Sequence, residues 1–260
     1  MEESLTFQDE WGHRVSAILS RPEQPTAKIV VLCHGFLSNK NSTTNKTLTR
    51  ILNDRGLATC RFDFFGQGES EGCFEDITIS LAVGQAQAAI AHVASHGYKT
   101  IGLVGSSFGG LVAILTTAQR PDIDCLALKC PVVDFAEEFR LEFGPDEMAR
   151  WQATNTIPNL MGGAERVRLK YRMYEDCLQQ IAYGPAAEIT TPTLIVQGER
   201  DELVPLHQSR RLLEALKGPK RLDLLPDADH QFTRGEDFRT MTSAITEWLI
   251  MYLLTGRIQR

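Results

Sequence analysis

The chain has 260 residues, 43% of them hydrophobic and 23% charged, which suits one large α/β domain or two small ones. A formal net charge of −6, with no Lys/Arg-rich run, excludes a basic nucleic-acid surface. Residues 1–11 carry Glu2, Glu3, Asp9 and Glu10 instead of the basic start and apolar run of a secretory leader, and the apolar tracts at 29–33 and 248–254 are too short or interrupted to span a bilayer.

Alternating runs at 4–8 and 14–19, around Trp11-Gly12, predict an antiparallel hairpin. An apolar strand at 29–33 then leads to a helix at 42–55, a strand at 58–62 and an Ala-rich helix at 80–95 closed by His96-Gly97. A strand at 101–105 precedes a helix at 111–119 that stops before Pro121, and a sixth strand follows at 125–129. Residues 134–187 break this rhythm: they show no strand pattern and hold Phe135, Phe139, Phe143, Trp151, Ile157, Leu160, Met161, Tyr171, Tyr174 and Tyr183. So long an insertion in a compact domain is usually functional, and it predicts a helical cap at 134–187 on a core of 1–133 and 188–260. The competing expectation is that these aromatic residues pack on the main core alone. Strands at 194–197 and 221–225, with helices at 206–216 and 238–254, complete the chain. Nearly continuous apolar strands alternating with helices predict an α/β fold, a mostly parallel sheet whose strands are buried on both faces. The six cysteines, Cys33, Cys60, Cys73, Cys125, Cys130 and Cys177, form no C-x-x-C pair or zinc pattern, and they read as reduced thiols of a cytoplasmic protein.

Between the strand at 101–105 and the helix at 111–119, Gly105, Ser107 and Gly109 form G-x-S-x-G. Strand, tight turn and helix are the context this motif needs to raise a serine hydroxyl at a strained apex, so Ser107 is the expected nucleophile. Ser106 does not fit, since Val104 and Phe108 would occupy its glycine positions. A serine at neutral pH needs a base. His230 follows the last strand and falls at the same sheet edge as Ser107, where parallel sheets present their sites. His92 and His96 belong to a helix behind the sheet, His13 to the first hairpin, and His207 to a helix start. His34 reads as a structural residue of its turn. The orienting acid is expected at the end of the strand at 194–197, where Asp201 is preferred and Glu199 and Glu202 are chemical rivals. Asp227 and Asp229 lie too near His230 in sequence to align with its ring. Backbone N–H groups of Phe36 and Phe108 are the expected donors to the oxyanion.

These residues together resemble the α/β-hydrolase superfamily over nearly the whole chain. The order Ser107, Asp201, His230 is that family's order; His34-Gly35-Phe36 resembles its oxyanion loop, and Asp63-Phe64-Phe65-Gly66-Gln67-Gly68-Glu69-Ser70 its D-x-x-G-x-G-x-S stretch. Within the superfamily the chain is most similar to bacterial cinnamoyl (feruloyl) esterases with a helical insert after the sixth strand; monoacylglycerol lipases and proline-type aminopeptidases share the core motifs. The resemblance implies a serine carboxylesterase that forms an acyl-enzyme on Ser107 with small, medium or aromatic acyl groups. It implies a small-molecule ester as partner and no metal or organic cofactor. A non-catalytic binding protein on this scaffold is the alternative of a different class, marked by a missing catalytic residue, whereas here each position is filled. No sequence feature distinguishes a monomer from a homodimer.

Overall fold

The computed structural model describes residues 1–157 and 168–255; Leu160 and Met161 of the aromatic-rich insert lie outside the described residues. The N-terminal hairpin forms β1 (Glu2–Gln8) and β2 (Arg14–Ser20), turning at Gly12. After β3 (Lys28–Cys33), α1 (Thr43–Asp54) starts at Ser42, whose hydroxyl accepts from the Asn45 N–H. β4 (Ala58–Phe62) and α2 (Ile79–Ser95) follow, the helix capped in the same way by Thr78. Next come β5 (Thr100–Ser106), α3 (Phe108–Gln119) and β6 (Cys125–Lys129).

The strands join one eight-stranded sheet in the order β1-β2-β4-β3-β5-β6, then β7 (Thr193–Gly198) and β8 (Lys220–Leu225). β1 and β2 pair antiparallel with their neighbours, and the other six strands run parallel. Alternate residues of the central β3 enter two core layers. Ile29, Val31 and Cys33 join a layer with Ala82, Ala86 and Ile90 of α2 and Val112 of α3. Val30 and Leu32 join the other, with Leu48 and Leu52 of α1 and Met241, Ile245 and Leu249 of α8 (Gly235–Leu253). α7 (Leu206–Ala215) contributes Leu212 to the first layer. No helix among the described residues is long and apolar enough to cross a membrane.

One expectation needs correction. The strand predicted at 221–225 is not buried on both faces: β8 is an edge strand, exposed at Lys220 and Arg221 and only partly covered to Leu224. Among the described residues it has no neighbour beyond β7, and its charged side chains suit an edge that must resist further pairing. The helix predicted from 111 begins at Phe108, because Ser107 itself is the residue at which strand turns into helix.

Between β6 and β7 the described residues form α4 (Phe135–Thr154), α5 (Arg172–Gln179) and α6 (Tyr183–Ala186). α4 kinks at Gly144, where φ is 66° immediately before Pro145. Trp151 of α4 is buried among Phe139, Phe143, Tyr171 and Tyr174, and its Nε1 donates to Leu169 O at 2.8 Å. All six cysteines are unpaired, and Cys73 alone of them is exposed.

Candidate active site

Parallel β3 to β8 end on one edge of the sheet, so the turns after β3, β5, β6, β7 and β8 meet there. Ser107, after β5, has φ 54° and ψ −119°, in the left-handed half of backbone space that a β-carbon disfavours. The turn tolerates nothing but glycine around it: a Cβ on Gly105 would run into Gly109 O, and one on Gly109 into the carbonyl oxygens of Cys33 and His34. Backbone bonds fix the apex, with Ser107 N–H donating to Lys129 O at 2.9 Å and Gly110 N–H donating to Ser107 O at 2.7 Å.

His230, after β8, and Asp201, after β7, are joined through His230 Nδ1, at 2.9 Å from Asp201 Oδ1 and 2.8 Å from Oδ2. Both side chains are buried. A carboxylate only accepts, so Nδ1 carries the proton and Nε2 is left as the basic nitrogen. Burial pushes the Asp201 carboxyl up, but the hydrogen bond from His230 and that of the Val204 N–H outweigh it, and the net shift is downward. Further donors fix the carboxylate: Leu203 N–H at 3.0 Å, Val204 N–H at 2.8 Å and Gln197 Nε2 at 2.7 Å. Ser107, Asp201 and His230 all line one cavity of about 610 Å³. No hydrogen bond links Ser107 Oγ to His230 among the described residues; such bonds are often long in unliganded sites and tighten on the substrate.

The rival groups are engaged elsewhere. Glu202 Oε2 accepts from the backbone N–H of His230 at 3.2 Å and so reaches the peptide instead of the ring. Glu199 is exposed. Asp227 pairs with Arg200 and Arg234, and Asp229 with Thr233. His13 bonds Asp9, His92 stacks on Phe7 with His96 beside it, and His207, mostly exposed, bonds Glu137. His34 is buried: its Nδ1–H donates to Gly35 O and its Nε2 accepts from Phe64 N–H, and burial pushes its pKa down to about 4. It is a neutral strut of the turn. Asp63, at the head of the Gly-rich stretch, is equally structural, holding Lys40 Nζ and the Lys40 and Glu69 N–H groups.

The N–H of Phe36 and that of Phe108 have no intramolecular partner among the described residues. Phe108 is the first residue of α3, where orphan donors face an incoming anion. The Phe36 ring packs against Phe74, Phe108 and Phe135, which fixes the loop that carries its N–H.

Three charged residues of the cavity wall escaped sequence reasoning: Lys129, Glu138 and Glu142. Lys129, the last residue of β6, is 4% exposed. Glu138 of α4 has an Oε1 that is shut off from solvent and lacks a hydrogen-bond partner among the described residues. Burial pushes the Glu138 carboxyl well above the usual range, and Asp201, Asp134, Glu137 and Glu142 add to the effect. A lone cation closing an apolar strand run is a signal that could have found Lys129; Glu138, in an acidic Glu137-Glu138 pair, looks like any solvated helix face. Cys130 Sγ lies with single ligand atoms of Asp201 and His230 within 4.8 Å of one another, the one grouping of metal-ligand type among the described residues. Asp201 and His230 already satisfy each other there.

A profile of the serine aminopeptidase (S33) family matches residues 24–165, more than half of the chain. The chain belongs to that family. As a member of the serine aminopeptidase (S33) family with the α/β-hydrolase fold, it is a hydrolase. Est1E from Butyrivibrio proteoclasticus, in a structure with ferulic acid bound, superposes with a TM-score of 0.83 at 24% identity, covering 95% of this chain and 98% of that one. The mouse α/β-hydrolase domain-containing protein 10 gives 0.81 at 18%, covering 96% and 99%. The bovine mitochondrial palmitoyl-protein thioesterase ABHD10 is 21% identical over 249 residues, spanning 90% of this chain and 80% of its own.

Proposed function

We propose that this family member is a carboxylic ester hydrolase that works through an acyl-enzyme on Ser107. The observation that carries the proposal is the buried Asp201–His230 pair opening on the same cavity as a serine held at a strained strand–helix apex. In this reading His230 Nε2 takes the Ser107 proton as Oγ attacks the ester carbon. The resulting oxyanion lies against the N–H groups of Phe36 and Phe108. Collapse expels the alcohol, protonated by His230. A water deprotonated by Nε2 then attacks the acyl-enzyme, releasing the acid and restoring Ser107. Asp201 keeps the ring oriented and stabilises its charged form.

Phe36, Phe135, Phe139 and Leu141 give the cavity apolar walls, which suits a medium or aromatic acyl group. Glu138 adds one polar group, protonated more readily than an ordinary carboxyl, that fits a hydroxyl on the acyl part; a hydroxycinnamate has both features. α4, which brings these side chains, is the part of the 134–187 insert that acts as a cap in this reading. Five buried, unpaired thiols fit a reducing compartment, the cytoplasm.

The test uses p-nitrophenyl acetate and a fluorophosphonate probe on the parent and Ser107→Ala. Turnover and labelling should vanish in the variant; equal labelling of both would remove Ser107 as the nucleophile. A panel of methyl ferulate, a palmitoyl thioester and an aminoacyl arylamide then ranks ester, thioester and amide. A larger kcat/KM for the arylamide would replace the esterase reading with the aminopeptidase one that the family's name suggests.

A further inference from the structure

The loop that carries His230 starts from the edge of the sheet and is tied to the turn after β7 by the Arg200 N–H on Ala228 O. It leaves β8, an edge strand with a single neighbour, and contains Phe232 at φ 54°. Its functional side chain nevertheless has to meet Ser107 across β6 and β7, within the few tenths of an ångström that proton transfer requires.

Lys129 joins the two. Its backbone carbonyl accepts the N–H of Ser107 at 2.9 Å, and its ammonium donates to the carbonyl of His230 at 2.8 Å. The same Nζ stands over the Phe232 ring, 5.2 Å from the centroid. On the preceding peptide, Glu202 Oε2 accepts the His230 N–H at 3.2 Å. The backbone of one residue, His230, is thus held at its C=O and at its N–H by side chains of opposite charge, from the end of β6 and the turn after β7. Burying an ammonium is costly, and an apolar side chain of that volume would suit a strand interior better. Burial pushes the Lys129 ammonium down, and the charges of Asp201, Asp229 and Glu202 oppose that shift without cancelling it, so the contact with the His230 carbonyl is what its head group gains there.

We infer that Lys129 is a positioning residue, which couples the backbone of Ser107 to that of His230 and so sets the distance between hydroxyl and imidazole, with Glu202 as its counterpart on the His230 N–H. The inference rests on His230 being the base, as proposed above.

The test compares the parent with Lys129→Met and Lys129→Gln, using His230→Ala as the reference. Met keeps the length and removes donor and charge; Gln keeps a donor without the charge. With p-nitrophenyl acetate, Lys129→Met should lose on the order of 10- to 100-fold in kcat with KM within about threefold of the parent. Fluorophosphonate labelling should slow by a similar factor, and thermal unfolding should stay cooperative. Lys129→Gln should recover most of the lost kcat. The inference is overturned if Lys129→Met keeps kcat within about threefold, or if KM rises in step with the loss, which would make Lys129 a substrate ligand instead. A folded Lys129→Gln as impaired as Lys129→Met also overturns it, and Gln carries the test if Met fails to fold. An active His230→Ala would instead undo the proposed function, a distinguishable failure.

Discussion

Asp201 and Glu138 are two carboxyl groups of one cavity whose surroundings push them in opposite directions. Burial raises Asp201, but the His230 ring and the Val204 N–H bring it below its ordinary value. Asp201→Asn keeps the shape, but a donor facing Nδ1 favours the wrong tautomer, and kcat is expected to fall by about 10^4. Glu202→Gln keeps an acceptor for the His230 N–H and should cost much less; the reverse ranking would move the acid role to Glu202. Glu138 has no such donors among the described residues. Its folded value lies above the ordinary 4.5, so the native state binds the proton more tightly than the unfolded chain does. The resulting stabilisation is complete below pH 4.5 and is lost as pH rises through the raised native value. Glu138→Gln mimics the protonated form and escapes this loss. Its Tm advantage over the parent should therefore grow between pH 4.5 and 8, and an advantage that shrinks over that range would refute the buried-acid description.

At the scale of elements, the turn between β5 and α3 is the most constrained piece of the fold. Gly109→Ala would drive a methyl group into the carbonyl oxygens of Cys33 and His34, backbone atoms of the neighbouring strand end that cannot step aside. Expression of that variant should give little folded protein, or a Tm lower by about 2–12 °C, since overpacking against backbone costs on the order of 1–3 kcal/mol; a variant with parental Tm would show that this turn can relax. The same constraint made the turn legible in the sequence, because Gly105 and Gly109 can be recognised without knowing what they approach. The central strands were legible too, since burial on both faces leaves continuous apolar runs such as Ile29–Val31 in β3. β8 was legible in position but not in burial: apolar content does not tell an edge from an interior. Lys129 and Glu138 were not recognised because their roles come from partners 101 residues away in the first case and from a missing partner in the second. Neither relation leaves a local pattern.

At the scale of the whole molecule, the insert and the hydrolase core share apolar packing. The core has two apolar layers on one sheet. The described part of the insert gathers around Trp151 and joins the first of these layers through side chains such as Phe135, Phe139 and Tyr174, with polar ties besides: Asp176 to Ser80, Lys170 to Asp76, and Ala182 N–H to Val133 O. Trp151→Ala removes the centre of that cluster and a hydrogen bond to Leu169, a loss of about 3–5 kcal/mol for a buried aromatic. If the insert is a separately stabilised cap, this loss appears as local opening. Hydrogen exchange should then accelerate in α4 and α5 while β3 and β5 keep their protection. KM for methyl ferulate should rise several-fold, because Phe135, Glu138 and Phe139 ride on α4, whereas turnover of p-nitrophenyl acetate, whose acetyl group is too small to reach that wall, should change little. Uniform acceleration across the sheet, with both esters losing equally, would make the insert an integral part of the core and return its aromatic residues to a packing role.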